Sequence, residues 1–462
     1  MISKLLRIYN TVKYLKIIQI HYQLYYLIRN KFFKINYNKQ LCKVVQSLVW
    51  KEFIVTKISF EKDRIFNFLN IAHQFEDKID WNYPEYGKLW TYNLNYFDFL
   101  HQEHITSDQG LTLIENYVVN DAVLKDGKEP YQISLRGINW IKFLSRNAIV
   151  DHNINQALYN HYEILLHNLE YHLLGNHLLD NGYSLLFGAY YFQDEILYKK
   201  AKQILKDELQ AQVLKDGGHF ELSPMYHQIL LHRLLDCINL INNNPWKKDD
   251  LIVFLRKKAI KMIAWLKEVT FNNGNIPMVN DSSYNIAPSS SDLLAYAKAL
   301  GLEEEKIQLK DSGYRMIRKK QYELFVDVGD IGPSYQPGHA HSDTLNFELY
   351  IKSKPFIVDT GISTYEKNEL RLKQRQTESH NTIKISDFEQ SEVWDGFRVA
   401  RRAKIVSLKE DQQSIEATHD GYKGLNILHT RRFSMEENKI FIEDEFSNSS
   451  CKEKVAFLHF HP

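Results

Sequence analysis

The chain has 462 residues, 44% apolar and 25% charged, so it has material for a large buried core and is neither disordered nor a multi-span membrane protein. Lys plus Arg (58) nearly cancels Asp plus Glu (57), which argues against a chain-wide nucleic-acid surface. At ~100–200 residues per domain, two or three domains are expected.

The charge balance hides an asymmetry. Met1 to Lys51 holds ten of the 58 basic residues and none of the 57 acidic ones, which leaves the rest of the chain at −9. Within this arm Leu5 to Phe33 has helical apolar spacing. Its uncharged run Ile17 to Ile28 is too short and too polar to span a membrane, and no small-x-small cleavage site follows it. The arm fits either a helix lying on a membrane surface or one docked on the acidic body. Docking is the commoner fate, and Leu5, Ile8, Val12, Leu15 and Ile18 to Ile20 would be the buried stripe.

From about Trp50 to Leu309 the apolar pattern is helical, as in Asn155 to Leu174, Tyr183 to Leu214 and Leu251 to Val269. Short breaks at Gly175, Asp216-Gly217-Gly218, Asn242 to Pro245 and Asn272-Asn273-Gly274 mark a series of helical hairpins. Past Gly313 the period becomes two, with strands expected at Gln321 to Val328, Leu345 to Ile351, Asn381 to Ile385, Ala403 to Leu408, Ser414 to Thr418 and Lys439 to Glu443. Met435 to Asn438 reads as a hairpin turn. Helices followed by strands give an α+β multidomain chain: an arm at 1–50, a helical domain at 51–310 and an antiparallel strand domain at 311–462. The sequence stops inside an apolar strand at Phe457 to Pro462, which leaves the completeness of the last domain open.

Cys42, Cys237 and Cys451 are odd in number and far apart, without CxxC spacing, so neither a disulfide framework nor a cysteine zinc site is expected. Tyr (28) exceeds Phe (25), a usage that suits sugar-binding surfaces and equally fits an AT-rich coding sequence.

Four clusters place ionisable side chains beside turn residues. The first is Gly175-Asn176-His177 with Asp180 to Tyr183, which reads equally as a polar helix-helix turn. The second runs from Asp216 to His227; in it Ser223 is a plausible cap, Pro224 a first helical residue, and Tyr226 sits in the first turn, where the helix dipole slightly favours a phenolate. In the third, Gly338 to Asp343, strand geometry would point His339 and His341 to one face, a metal-like pairing that lacks a third local ligand. The fourth, Glu378 to Thr382, adds His380, which alone reads as a satisfied buried histidine.

In combination, the motifs Leu94-Asn95-Tyr96-Phe97, Arg136-Gly137-Ile138-Asn139-Trp140, Gly175-Asn176-His177-Leu178-Leu179, Asp216-Gly217-Gly218 with Glu221 and Tyr226-His227, Pro277 with Asn280-Asp281-Ser282, Gly338 to Asp343 and Ser379-His380-Asn381 resemble the heparinase II/III family of polysaccharide lyases from about Trp90 to Phe446. The resemblance implies an α/α toroid followed by an antiparallel β-sandwich, with the cleft between them. It also implies β-elimination at a uronic acid of an acidic polysaccharide. Asn176 with His177 would neutralise the substrate carboxylate, and Tyr226 and His339 would transfer protons, with the split between base and acid left open. Asn95, Arg136, Asn139 and Glu221 would bind substrate. A structural zinc would take His341, Asp359 and His380, although a simple hairpin turning at Ser353-Lys354 would carry Asp359 away from His341.

No organic cofactor is expected. Relatives with a basic arm are associated with surface-polysaccharide assembly, so a capsule or O-antigen setting fits. Location is open between the cell envelope, by resemblance, and a cytoplasmic or membrane-peripheral site, since no signal peptide is evident. The competing readings are a glycan-binding or assembly protein without turnover, and a glycoside hydrolase using Glu221 and Asp281.

Overall fold

The computed structural model describes residues 2–33, 35–43, 45–303, 305–448 and 452–462. Cys451 lies outside them; Cys42 and Cys237 are free thiols. The described helices are α1 (Ile2–Val12), α2 (Ile17–Phe32), α3 (Lys88–Tyr96), α4 (Ser107–Val119), α5 (Pro130–Arg146), α6 (His152–His167), α7 (Gly175–Phe192), α8 (Glu195–Gln212), α9 (Pro224–Asn243), α10 (Leu251–Val269), α11 (Ser290–Ala299) and α12 (Glu369–Gln374). The chain divides into two compact units, one of residues 17–211 and 232–257, the other of residues 1–16, 212–231 and 258–462.

The first unit is built mainly of helices. Pro130 opens α5, a position where its missing N–H is no loss, and α5 packs on α3, α6 and α7. Its residues from Gln132 to Ser145 are all buried, so the helix is central rather than amphipathic. The expected helix from Tyr183 to Leu214 is two, because Gln193 adopts a left-handed φ of 49° and ends α7. The helical reading also missed a three-stranded antiparallel meander, β1 (Phe60–Glu61), β2 (Ile65–Phe68) and β3 (Ile71–Gln74), which puts Phe66 and Phe68 against Phe75, Trp81 and Trp90. With so few residues per strand, alternation was too brief to register.

The second unit carries the remaining strands. Strands β4 (Tyr314–Arg318), β5 (Tyr322–Asp327), β6 (Phe347–Ile351) and β7 (Lys354–Ile357) form one antiparallel sheet. Short pairs join β8 (Ile383–Ile385) to β15 (Lys454–Ala456) and β9 (Val393–Trp394) to β10 (Arg398–Val399). Strands β11 (Ile405–Glu410), β12 (Ser414–His419), β13 (His429–Met435) and β14 (Ile440–Phe446) form a second four-stranded meander. The expected turn after Met435 joins β13 to β14. Leu324, Val326 and Phe347 of one sheet meet Ile415, Ala417 and Phe433 of the other, so the two meanders face each other as a sandwich. Strand β5 is buried along its whole length because Phe325, on its opposite face, packs on Trp265, Val269 and Phe271.

The arm docks, but not by the expected stripe. In the second unit α1 is held by Arg7 to Glu392 (2.6 Å) and by Trp394, whose indole N–H donates to Thr11 (3.2 Å). In the first unit α2 is held by Tyr26 donating to the Leu169 carbonyl (2.6 Å) and by Arg29 on the His167 carbonyl. Leu5, Ile8, Val12, Ile18 and Ile20 are exposed.

His227 of α9 lies buried in the second unit, its Nε2–H toward the Met262 carbonyl (2.9 Å) while Nδ1 accepts the His219 backbone N–H (3.2 Å). Burial, against the Met262 hydrogen bond, drives its pKa down to about 3. The unfolded chain binds a proton there below about 6.5, so the stability contributed by neutral His227 is present above that pH and lost as pH falls. The stability gap between the parent and His227→Gln is therefore expected to be steady above about pH 6.5 and to narrow by about 1.4 kcal/mol per pH unit below it, as read by urea denaturation.

Candidate active site

The site in the second unit begins at the turn after α8. Gly217 has a φ of 91°, and a Cβ there would stand 2.1 Å from the Lys261 carbonyl oxygen, so glycine is required. Asp216 fixes the turn by accepting backbone N–H bonds from Lys310 (3.0 Å) and Ser312 (2.8 Å). Leu222 is left-handed, with a φ of 58°, and its carbonyl accepts from Asn280 and Tyr314. Ser223 caps α9 as expected, accepting the Tyr226 N–H at 3.2 Å.

Three of the expected site residues meet here. The rings of Tyr226 and His339 stack at 4.0 Å with 17° between their planes. Glu221, expected to bind substrate, is instead buried behind His339, its Oε2 2.8 Å from Nδ1. Such a carboxylate fixes the ring and its tautomer: with the proton on Nδ1, the lone pair sits on Nε2. Burial, and after it the charge of Asp281, hold the Tyr226 hydroxyl above the usual phenol range, against the opposing effects of Tyr365 and Arg371. Tyr226 is therefore a proton donor at neutral pH. Tyr365 completes this wall, edge-on to His339 at 6.4 Å and stacked on Phe397 at 6.1 Å. Nothing in its surrounding sequence marked it.

His341 does not share the direction of His339, because residues 339–343 are loop rather than strand. It is fully buried, its Nε2 2.8 Å from Asp281. Asp281 also accepts from both terminal guanidinium nitrogens of Arg371, one at 2.7 Å. Burial alone would raise the Asp281 carboxyl, but Arg371 and the His341 hydrogen bond hold it well below the usual carboxylate range. Arg371 is placed by α12, whose cap Asn368 accepts the Arg371 N–H at 2.9 Å. With Glu221 committed to His339 and Asp281 to Arg371 and His341, they do not form the carboxylate pair a glycoside hydrolase needs.

The three residues expected to hold zinc do come together. The His341 and His380 rings are 5.2 Å apart, and Asp359 Oδ2 is 2.8 Å from His380 Nδ1. Asp359 arrives there because β6 and β7 shift register between Leu349 and Tyr350, a bulge that the simple hairpin lacks. His341 Nδ1, His380 Nε2 and Asp343 Oδ2 are buried without a hydrogen-bond partner. Yet among the described residues no three His, Cys, Asp or Glu side chains are arranged to hold a metal ion. The donor set is partial, with Asp359 behind His380 in the manner of a carboxylate orienting a ligand histidine.

The remaining expected residues lie in the first unit. Asn176 and His177 occupy the first turn of α7; His177 bonds Glu170 at 3.0 Å and packs on Tyr131 at 4.6 Å. Nearby Asp180 is buried, and desolvation, opposed by Arg233 and His177, pushes its carboxyl up to about 6. Asn95, Arg136 and Asn139 depart from the substrate-binding expectation because all three are interior. Arg136 donates to the Gly127 carbonyl (2.8 Å) and covers the Tyr117 ring (4.7 Å), Asn95 donates to the Trp81 carbonyl (2.8 Å), and Asn139 to the Tyr96 carbonyl (2.8 Å). Arg136 and Asn95 join helices to loops, and Asn139 joins α5 to the end of α3.

Over residues 132–301 the sequence matches the family profile described as heparinase II/III N-terminus, and over 303–462 that described as heparinase II/III-like, C-terminal. It is 23% identical over 329 residues to a heparin-sulfate lyase of Bacteroides stercoris, covering 65% of this chain and 48% of the relative. To a heparin-sulfate lyase of Bacteroides thetaiotaomicron it is 25% identical over 301 residues, covering 55% and 41%. The chain thus spans less than half the length of these curated relatives. A crystal structure of heparinase III superposes with a TM-score of 0.60 at 16% identity, covering 93% of this chain and 77% of that one. A second heparinase III structure gives 0.54 at 17%, covering 81% and 67%. At these identities the likeness bears on the fold, an α/α toroid followed by an antiparallel β-sandwich.

Removing the counter-ion of a fully buried carboxylate is costly. Arg371→Met is expected to destabilise the protein by about 3–5 kcal/mol in chemical denaturation. A loss below about 1 kcal/mol, the range of an exposed ion pair, would show that Asp281 does not depend on Arg371.

Proposed function

Because the chain belongs to the heparinase II/III family, we propose that it is a polysaccharide lyase that cleaves an acidic, uronic-acid-containing polysaccharide by β-elimination. The observation that carries this is the stacked Tyr226 and His339 pair with Glu221 behind the imidazole. In β-elimination the C5–H and C4–O bonds break, a C4=C5 double bond forms, and the leaving oxygen takes a proton. His339 Nε2 is the base, since Glu221 holds the opposite nitrogen protonated. Tyr226, kept as the neutral phenol, protonates the leaving oxygen.

By the family resemblance alone, Asn176 and His177 would neutralise a uronate carboxylate, without which the C5 proton is too weakly acidic to remove. The surface-polysaccharide setting is an expectation of the same resemblance, so the producer's own surface polysaccharide belongs among the substrates tried.

The test is ultraviolet absorbance of the unsaturated uronate on incubation with a panel of uronic-acid glycans. Tyr226→Phe is expected to lower turnover ~10²–10⁴-fold with melting nearly unchanged, and His339→Ala to behave alike. Glu221→Gln should fall between parent and His339→Ala. A well-folded Tyr226→Phe protein that keeps most of its turnover removes Tyr226 from the mechanism; glycan binding without any double bond formed favours the non-catalytic reading.

Zinc is proposed at His341 and His380, with Asp359 in support, on the strength of the two buried nitrogens without partners. It would tie loop 339–343 to the start of β8, adding stability rather than chemistry. Protein purified without chelator should carry about one zinc per chain. His380→Ala should lower metal content and melting temperature together. Absence of stoichiometric metal ends the zinc reading and leaves the lyase reading standing.

A further inference from the structure

Helix α2 is inverted relative to an ordinary docked helix. Its packed side is polar or hydroxyl-bearing: Gln19 donates to the Leu173 carbonyl (3.1 Å), Tyr22 stacks on Tyr171 (4.6 Å), and Tyr26 and Arg29 bond the carbonyls of Leu169 and His167. Its outer side is aliphatic at the same helical spacing, with Ile17 86%, Leu24 55%, Leu27 64% and Ile28 55% exposed. Helix α1 repeats the arrangement, with Leu5 59%, Leu6 55% and Tyr9 63% exposed while Arg7 and Thr11 make the contacts. So much outward aliphatic surface on adjacent sequence is far from the scattered exposure of a free surface.

We propose that the outer face of α2 docks in the plane of an anionic lipid bilayer. Charge selects the occupant. Lys13 and Lys16 precede the apolar run of α2 and Lys31 closes it, and no Asp or Glu occurs before residue 52. A basic rim around an aliphatic face fits acidic headgroups over acyl chains. A second copy of this chain would bring cations against cations, and a polysaccharide offers no acyl surface for Leu24 and Leu27. At 16 residues α2 is about 24 Å long, short of the ~30 Å hydrocarbon core. No helix among the described residues is long and apolar enough to cross a membrane. The helix therefore lies in the interface rather than through it.

The experiment is flotation of the full chain with vesicles of phosphatidylcholine alone or mixed with phosphatidylglycerol. Binding to the mixed vesicles is expected to be at least ~10-fold tighter than to phosphatidylcholine, and to weaken as salt is raised. The triple variant Leu24→Gln, Leu27→Gln, Ile28→Gln should lose binding at least ~10-fold with unchanged melting, since these side chains already face water. A Leu24→Trp variant should show blue-shifted emission on adding mixed vesicles, and it reports independently of the triple variant's stability. Vesicle binding retained by the triple variant, or an unshifted Leu24→Trp emission, overturns the proposal. So does an oligomer of the full chain that the triple variant dissolves while neither binds vesicles, which would give the face to a second copy.

Discussion

The second unit depends on one buried carboxylate. Asp281 ties its own segment to two others far away in sequence: its oxygens take the Arg371 guanidinium from α12 and the His341 imidazole from the loop before β6, and its backbone N–H donates to the His339 carbonyl of that same loop at 3.1 Å. A charge so deep is tolerable only when fully paired, which is why an arginine and a histidine converge on it. The neighbouring residues extend the same tie. Asn280 accepts the His341 N–H and donates to the Leu222 carbonyl, and Ser223 donates to the Asp281 carbonyl at 2.7 Å. The turn carrying Glu221 and Tyr226 and the loop carrying His339 are thereby fixed to one anchor.

Given that anchor, the division of labour at the site follows from placement. Glu221 and His339 come from opposite sides of the Asn280-Asp281-Ser282 segment, and their contact gives the imidazole one defined tautomer. Tyr226 lies flat on that imidazole, in surroundings where burial and the Asp281 charge disfavour its phenolate. The Glu221 carboxylate orients His339 while burial keeps Tyr226 protonated, so the environment of each residue sets its role as base or acid.

Most of the element pattern was legible because it is local. Apolar spacing located α10, β5, β12 and β14, and turn chemistry located the break at Asp216-Gly217-Gly218, the Ser223 cap and the hairpin after Met435. The clusters around Asn176, Tyr226, His339 and His380 were visible for the same reason, as ionisable residues beside turn residues. Misreadings came where a non-local contact decides. Arg136 reads as a ligand-binding cation until Gly127, Tyr117 and Asn95 are seen to enclose it. Asp359 reads as misdirected until the bulge in the β6–β7 hairpin adds a residue.

The sequence alone determined the helix-to-strand order, the basic arm on an acidic body and the residue types that proton transfer requires, since each is a property of composition, spacing or short motifs. Only the tertiary structure decided that Glu221 serves His339 rather than substrate, that His339 and His341 part company, that Tyr365 joins the site, and that α2 turns its aliphatic face outward. Those outcomes depend on partners tens to hundreds of residues away. Helical or strand periodicity fixes which side chains share a face, but not which face the rest of the chain will cover.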